Sequence, residues 1–188
     1  MELILVLVVV FVIPLGFAIW SYNRFVTQVA SIDASWAGID VELQRRHDLV
    51  DNLVRTVEGY ATHERTTLEQ VTRARSEAVR AVDPSVPVRD QARAEDALTD
   101  GISRLFALSE EMPDLKADRA FRQLQSQLVE TEDRISASRR LYNLEVAAYE
   151  RRRRAIPSNL IAWTFGFEPR ELFEIQDAGA KHAAQVAW

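Results

Sequence analysis

The chain has 188 residues, a formal net charge of −5 and no cysteine. That length fits one domain beside any anchor, and the acidic balance argues against a dedicated nucleic-acid binder. Without a thiol there can be no disulfide framework, thiolate catalysis or lipid-modified cysteine.

Residues 3–20 read LILVLVVVFVIPLGFAIW, with no charge among them. A run of this length is a candidate for a membrane-spanning helix. A secretory signal would want a basic start, a shorter apolar stretch and a small-x-small cleavage site. Here only Met1 and Glu2 precede the run, and Ala18-Ile19-Trp20-Ser21-Tyr22 ends it. An uncleaved anchor is therefore expected over residues 1–21. Trp20 and Tyr22 stand where interfacial aromatics belong, and Pro14 and Gly16 are tolerated in spanning helices. No Lys or Arg precedes the run, whereas Arg24, Arg45 and Arg46 come after it. The positive-inside rule then places the C-terminal part in the cytoplasm.

From Phe25 the apolar positions keep a four-three rhythm: Val29, Ile32, Trp36, Ile39, Leu43, then Arg46, Val50, Leu53, Val57 and Tyr60. These are heptad core positions seeking a helical partner. The rhythm slips after Tyr60, at a stutter that relaxes a supercoil. The spacing predicts one helix running on to about Ala81, with about 90 Å of it beyond the lipid at the α-helical rise. Asp83-Pro84-Ser85-Val86-Pro87 predicts a turn. A second helix is expected over Val88 to Ser109, with Leu98, Ile102, Leu105 and Phe106 inward and Gly101 a weak point. Met112-Pro113 ends it, and Asp114 is the expected N-cap of a third helix over Leu115 to Arg153. Its buried side carries Phe121, Leu124, Leu128, Ile135, Tyr142, Val146 and Tyr149. A short aromatic helix is expected over Ser158 to Phe167, and a loose tail from Gln176.

The fold class this describes is all-α: an N-terminal transmembrane helix continuing into a long up-and-down bundle of the four-helix type. The bundle is expected over residues 22–175 and the tail over residues 176–188. A first helix this long would outrun the second. Either the second and third helices lie end to end along it, or a stripe with Trp36 and Leu43 stays uncovered for a second copy.

Catalytic patterns are sparse. His63-Glu64 begins an H-E-x-x-H zinc motif, but Thr67 stands where the second ligand belongs. His47 and Asp51 can pair one turn apart. There is no G-x-S-x-G and no Gly-rich phosphate loop. The chain is therefore read as a non-enzyme with no metal or cofactor. Arg46 interrupts the apolar stripe at a core position, where a polar residue can fix register. It needs a partner, and Glu130, Glu132 or Asp133 could supply one. Arg151, Arg152, Arg153 and Arg154 suit a helix C-terminus, or anionic lipid if they lie near a membrane. The apolar residues after them, including Trp163, Phe165 and Phe167, fold on the bundle or dock at the same interface.

Several stretches together resemble the LemA family of bacterial membrane proteins over nearly the whole chain. They are YNRFV at 22–26, SWAGIDVELQRRHDLVDNLVRTVEGYATHE from Ser35, and VTRAR at 71–75. PDLKA at 113–117, FRQLQSQLVETEDRIS at 121–136, RRLYN at 139–143 and PSNLIAWTFGF at 157–167 complete them. Ser35 and Ser138 stand where the family pattern has small residues such as alanine. The resemblance implies one membrane helix, a cytoplasmic four-helix bundle and no established catalytic residues. A magnetosome-forming branch of the family suggests membrane organisation. The matching polar residues Asp48, Asn52, Arg134, Arg139 and Asn143, with Arg46, are expected to form an interhelical network or a partner site. The functional expectation is a membrane-anchored scaffold acting on a protein partner or on itself. The alternative is a bundle that houses a ligand or metal site.

Overall fold

The computed structural model describes residues 1–2, 8–60 and 64–174. Residues 3–7 of the apolar run, His63, and the tail with His182 lie outside the described residues. A π-helical turn, Val8–Val12, leads into α1, Ile13–Glu58. Next come α2 (Arg65–Ala81), α3 (Val88–Ser109), the single turn α4 (Pro113–Ala117), α5 (Arg119–Arg154) and α6 (Ser158–Thr164). Among the described residues there is no strand. The all-α reading holds.

The chain packs as two units. One comprises residues 1–37 and 140–172, the other residues 38–139 with the chain beyond 172.

In the larger unit four helical segments form an up-and-down bundle, from α1, α2, α3 and α5. The expected single helix to Ala81 is instead two. α1 stops at Glu58, Gly59 and Tyr60 form a turn, and α2 starts at Arg65. Glycine carries the weakest helix propensity after proline, and the core rhythm fails at the same place. So α1 is 46 residues, about 69 Å, and the tension in helix lengths disappears. The stripe is covered within the chain. Ile39, Leu43, Val50, Leu53 and Val57 are each fully buried. Leu43 therefore offers nothing to a second copy.

α2 and α3 pack as a hairpin through the expected turn. There Asp83 Oδ1 accepts bonds from the Ser85 backbone N–H at 2.8 Å and from its hydroxyl. α3 has the expected bounds, and Leu68, Val71, Leu98, Ile102 and Leu105 join Phe121 and Leu128 in one core. At Gly101 the two helices pack closely: a Cβ there would lie 3.4 Å from Val71 Cγ2. Alanine is at ordinary contact and should be tolerated. Gly101→Leu overfills the interface and should cost about 1–3 kcal/mol, read from the midpoint of urea unfolding.

The N-cap of α5 is Asp118, not Asp114. Pro113 sits in the first turn of α4, and the chain then leaves helical geometry at Asp118 (φ −62, ψ 131). Asp118 Oδ1 accepts the Phe121 backbone N–H at 2.8 Å, and Oδ2 accepts the Tyr60 hydroxyl at 3.1 Å. The Phe121 bond, more than any other contact, holds the Asp118 carboxyl below its ordinary range. A lowered carboxylate stabilises above its unfolded pKa of about 3.9 and loses that contribution as pH falls through the folded value. Protection of the first-turn amides of α5, read from hydrogen exchange relative to the intrinsic rate at each pH, should therefore fall below about pH 4, and Asp118→Ala should abolish that loss.

In the smaller unit, α1 and α5 run antiparallel: Phe25 meets Tyr149 at 5.9 Å between ring centroids, and Trp36 meets Tyr142 at 5.1 Å. Trp36 is thus half-buried against its own chain. α6 ends with Gly166 in the left-handed region (φ 68), and the Phe167 N–H bonds back to the Ala162 carbonyl at 2.9 Å. That is a Schellman-type stop, for which glycine is favoured. The extended chain beyond it is tied to α5. Tyr149 OH donates to the Glu168 carbonyl at 2.7 Å and Tyr142 OH to the Glu171 carbonyl at 2.9 Å.

Candidate functional site

Two constellations carry the polar chemistry, one in each unit. The first is built around Arg46, the largest fully buried side chain among the described residues. The heptad places it on the inward face of α1, so its guanidinium has no route to water. NH1 lies 3.5 Å from Glu95 Oε2 on α3, and Nε lies 3.1 Å from Glu132 Oε1 on α5. NH2 donates to Thr99 Oγ1, whose own hydroxyl donates to the Glu95 carbonyl at 3.0 Å. Of the three sequence candidates for its partner, Glu132 is the one in contact. Burial is the main influence on the Glu132 carboxyl, pushing it up against the pull of Arg46.

His47, the next residue, is also fully buried. Its Nε2 lies 2.8 Å from Glu95 Oε1. The pairing with Asp51 that the spacing allowed is not formed, and the Asp51 carboxylate instead meets Arg55 at 2.7 Å and Arg75 at 3.3 Å. Arg75 in turn donates from Nε to the His47 carbonyl at 2.7 Å, which brings α2 into the network. Arg46 and Glu95 thereby join α1, α3 and α5, and Arg75 ties α2 to the same place through the His47 carbonyl.

The other polar candidates fall unevenly. Arg134 lies 2.6 Å from Glu130 and 3.7 Å from Glu42, at the bundle surface. Asp48 is exposed and accepts a bond from Gln44 at 3.1 Å, and Asn52 is exposed on the same helix. Neither joins the Arg46 cluster. Arg139 and Asn143 are half-buried on α5. Among the described residues, no three His, Asp or Glu side chains converge as a metal ion would need.

The second constellation lies in the smaller unit, where the C-terminal end of α5 meets α1 just past its apolar start. The Arg152 guanidinium carbon is 5.4 Å from the Trp20 ring centre, within reach of a cation–π contact. Tyr22 packs on Phe165 at 4.9 Å and on Phe167 at 5.7 Å, and Phe25 stacks on Phe167 at 4.7 Å. Arg153 and Arg154 share the carboxylate of Glu150, at 3.0 and 3.4 Å. The basic run therefore ends beside the residues that close the apolar stretch. Phe167 packs inward, while Trp163 and Phe165 remain exposed.

Most of the described apolar stretch is uncovered by protein. Phe11, Ile13, Leu15 and Ile19 are each more than half exposed. Val9–Glu58 is the only helix among the described residues long and apolar enough to cross a membrane, and 11% of its apolar window is buried. A core helix would be covered.

An uncovered apolar helix leading into a helical bundle defines a membrane-associated helical protein. A model of the LemA family matches residues 35–188, and the chain belongs to that family. It is 27% identical over 180 residues to magnetosome proteins MamQ 2 and MamQ 1 of Paramagnetospirillum magneticum, covering 84% of this chain and 66% of each relative. With the same coverage it is 26% identical to magnetosome protein MamQ of Magnetospirillum gryphiswaldense. It thus spans about two thirds of the length of these relatives.

Proposed function

We propose that this protein is a single-pass, non-enzymatic scaffold. Its apolar N-terminal helix holds the bundle at the inner face of the bacterial cell membrane, where the bundle engages a protein partner or a second copy. The observation that carries this reading is Arg152 against Trp20. It puts Arg152, inside the basic run Arg151 to Arg154, at the end of the apolar stretch, where its charge also feels that of Arg24. Positive charge gathered at that end favours cytoplasmic placement of the chain beyond it. The interior of the bundle supports a scaffold over a ligand site, because its buried Arg46, His47 and Glu95 are engaged with one another. The likeness to MamQ adds an organising role at a membrane.

Reporter fusions to the C-terminus test the placement. A reporter that works only in the cytoplasm should be active, and one that works only outside it silent. The reverse pattern overturns the inner-face reading. In-cell crosslinking with mass spectrometry should then recover a reproducible neighbour or a second copy of the chain. Recovery of monomer alone overturns the scaffold.

A further inference from the structure

The short helix α6 is built inside out for a helix in water. Its small and polar residues face the protein: Ser158 and Ala162 are buried, and Ser158 Oγ bonds to the Arg152 carbonyl at 2.7 Å. Its large apolar residues face away. Trp163 is 84% exposed, Leu160 61%, and Ile156 just before the helix 85%. Phe165 continues the same exposed set. Folding has left in the open the side chains it would ordinarily cover first.

Position says what covers them. The rings of Phe165 and Phe167 pin the end of α6 to Tyr22 and Phe25. Those two residues flank Asn23 and Arg24, where the apolar run of α1 gives way to polar chain. Taking that run as a membrane span, α6 is held at the depth of the headgroups. Tryptophan there is at its preferred level, one side apolar and the other wet.

Charge says which lipid. A cavity of about 450 Å³ beside α6 is lined by Arg153, Arg154, Asn159 and Trp163, with Glu168 its one carboxylate. Arg152 Nε, nearby in the chain, is a buried donor with no hydrogen-bond partner. Burial and the charge of Arg24 both act against the Arg152 cation. An anion beside Arg152 relieves that repulsion, and the forked guanidinium groups of Arg153 and Arg154, which share the single carboxylate of Glu150, suit phosphate oxygens.

We propose that α6 lies in the membrane interface, with Ile156, Leu160, Trp163 and Phe165 at the acyl boundary and the arginines at its base binding the phosphate of an anionic phospholipid. This makes a second membrane contact beside the span, and it rests on the reading of α1 as that span.

The test uses the full chain with Trp20, Trp36 and Trp188 replaced by Phe, so that Trp163 is the sole reporter. It is reconstituted in vesicles of phosphatidylcholine with or without phosphatidylglycerol. Lipids brominated close to the headgroup should quench most of the Trp163 emission in the mixed vesicles and less in phosphatidylcholine alone. The added Arg153→Gln and Arg154→Gln changes should erase that difference at unchanged helical content by circular dichroism. Quenching by aqueous acrylamide and not by brominated lipid places α6 in water and overturns the proposal. Protection from both quenchers means that protein covers the patch, which also overturns it. Equal lipid quenching in the two vesicles overturns the phosphate contact. A companion chain keeping only Trp20 separates the premise from the inference. If Trp20 escapes lipid quenching, the span reading fails and takes this proposal with it. If Trp20 is quenched and Trp163 is not, the span stands and the proposal alone falls.

Discussion

Arg46→Met should lower the stability of the bundle by about 3–5 kcal/mol, the range for breaking a buried ion pair from one side. The loss comes less from the pair itself than from what stays behind. Glu95 is fully buried, and its Oε2 has the Arg46 guanidinium as its ionic neighbour. Remove that cation and a carboxylate is stranded in the core. Methionine fills much of the volume of the arginine stem, so packing contributes little to the difference. Adding Glu95→Gln to Arg46→Met should recover most of the loss. The amide oxygen still accepts from His47, and the charge is gone. The single and double variants, unfolded by urea in detergent and followed by helical circular dichroism, separate a charge effect from a cavity effect. Equal destabilisation of the two would mean that the network acts through shape alone.

That cluster also shows what the sequence discloses and what it withholds. Arg46 was legible because it breaks an apolar rhythm, and Glu132 was legible as one of three acids on the opposing helix. Glu95 was not, although the signal is present. It falls three residues before Leu98 and seven before Ile102, on the stripe that buries α3. A charge at a core position on one helix calls for an opposite charge at a core position on another. Scanning each stripe for its apolar members alone passes over that pairing. His47 was misplaced for a related reason. A one-residue stripe is narrower than the face a helix buries in a four-helix bundle, so the neighbour of a core residue can be buried too.

The break after Glu58 is a different case. The rhythm fails there, but a stutter and a chain reversal look alike in spacing, and no proline marks the spot. Gly59 is the only local hint. The shift of the cap from the expected Asp114 to Asp118 has the same root, because α4 occupies the interval with a turn of its own. The nearness of the arginine run to Trp20 could be posed from sequence only as one of two packings. Deciding it required knowing where α1 ends. Once α1 stops at Glu58, no further length of it has to be covered, and the 36 residues of α5 suffice to bring Arg152 back to Trp20.

Phe25→Ala should have the second large effect, about 3–5 kcal/mol for a fully buried aromatic cut to a methyl. Phe25 is wholly enclosed, stacked on Phe167 at 4.7 Å and edge-on to Tyr149 at 5.9 Å. The site cannot close up easily, because each neighbour is held by another contact. Phe167 is fixed by its backbone bond to Ala162, and Tyr149 by its hydroxyl bond to Glu168. A void should therefore remain, and its consequence should be local before it is global. The chain from Ser158 to Leu172 loses its main apolar grip on α1, so its amides should exchange faster well below the unfolding midpoint. Tyr149→Phe is the control within the same unit: it removes the hydroxyl bond alone and should cost about 0.5–1.5 kcal/mol. Exchange mass spectrometry over residues 158–172 reads both variants. If Phe25→Ala leaves that segment as protected as Tyr149→Phe does, the aromatic stack is not what fastens α6 beside the apolar helix. The backbone bonds to α5 would then have to do so by themselves.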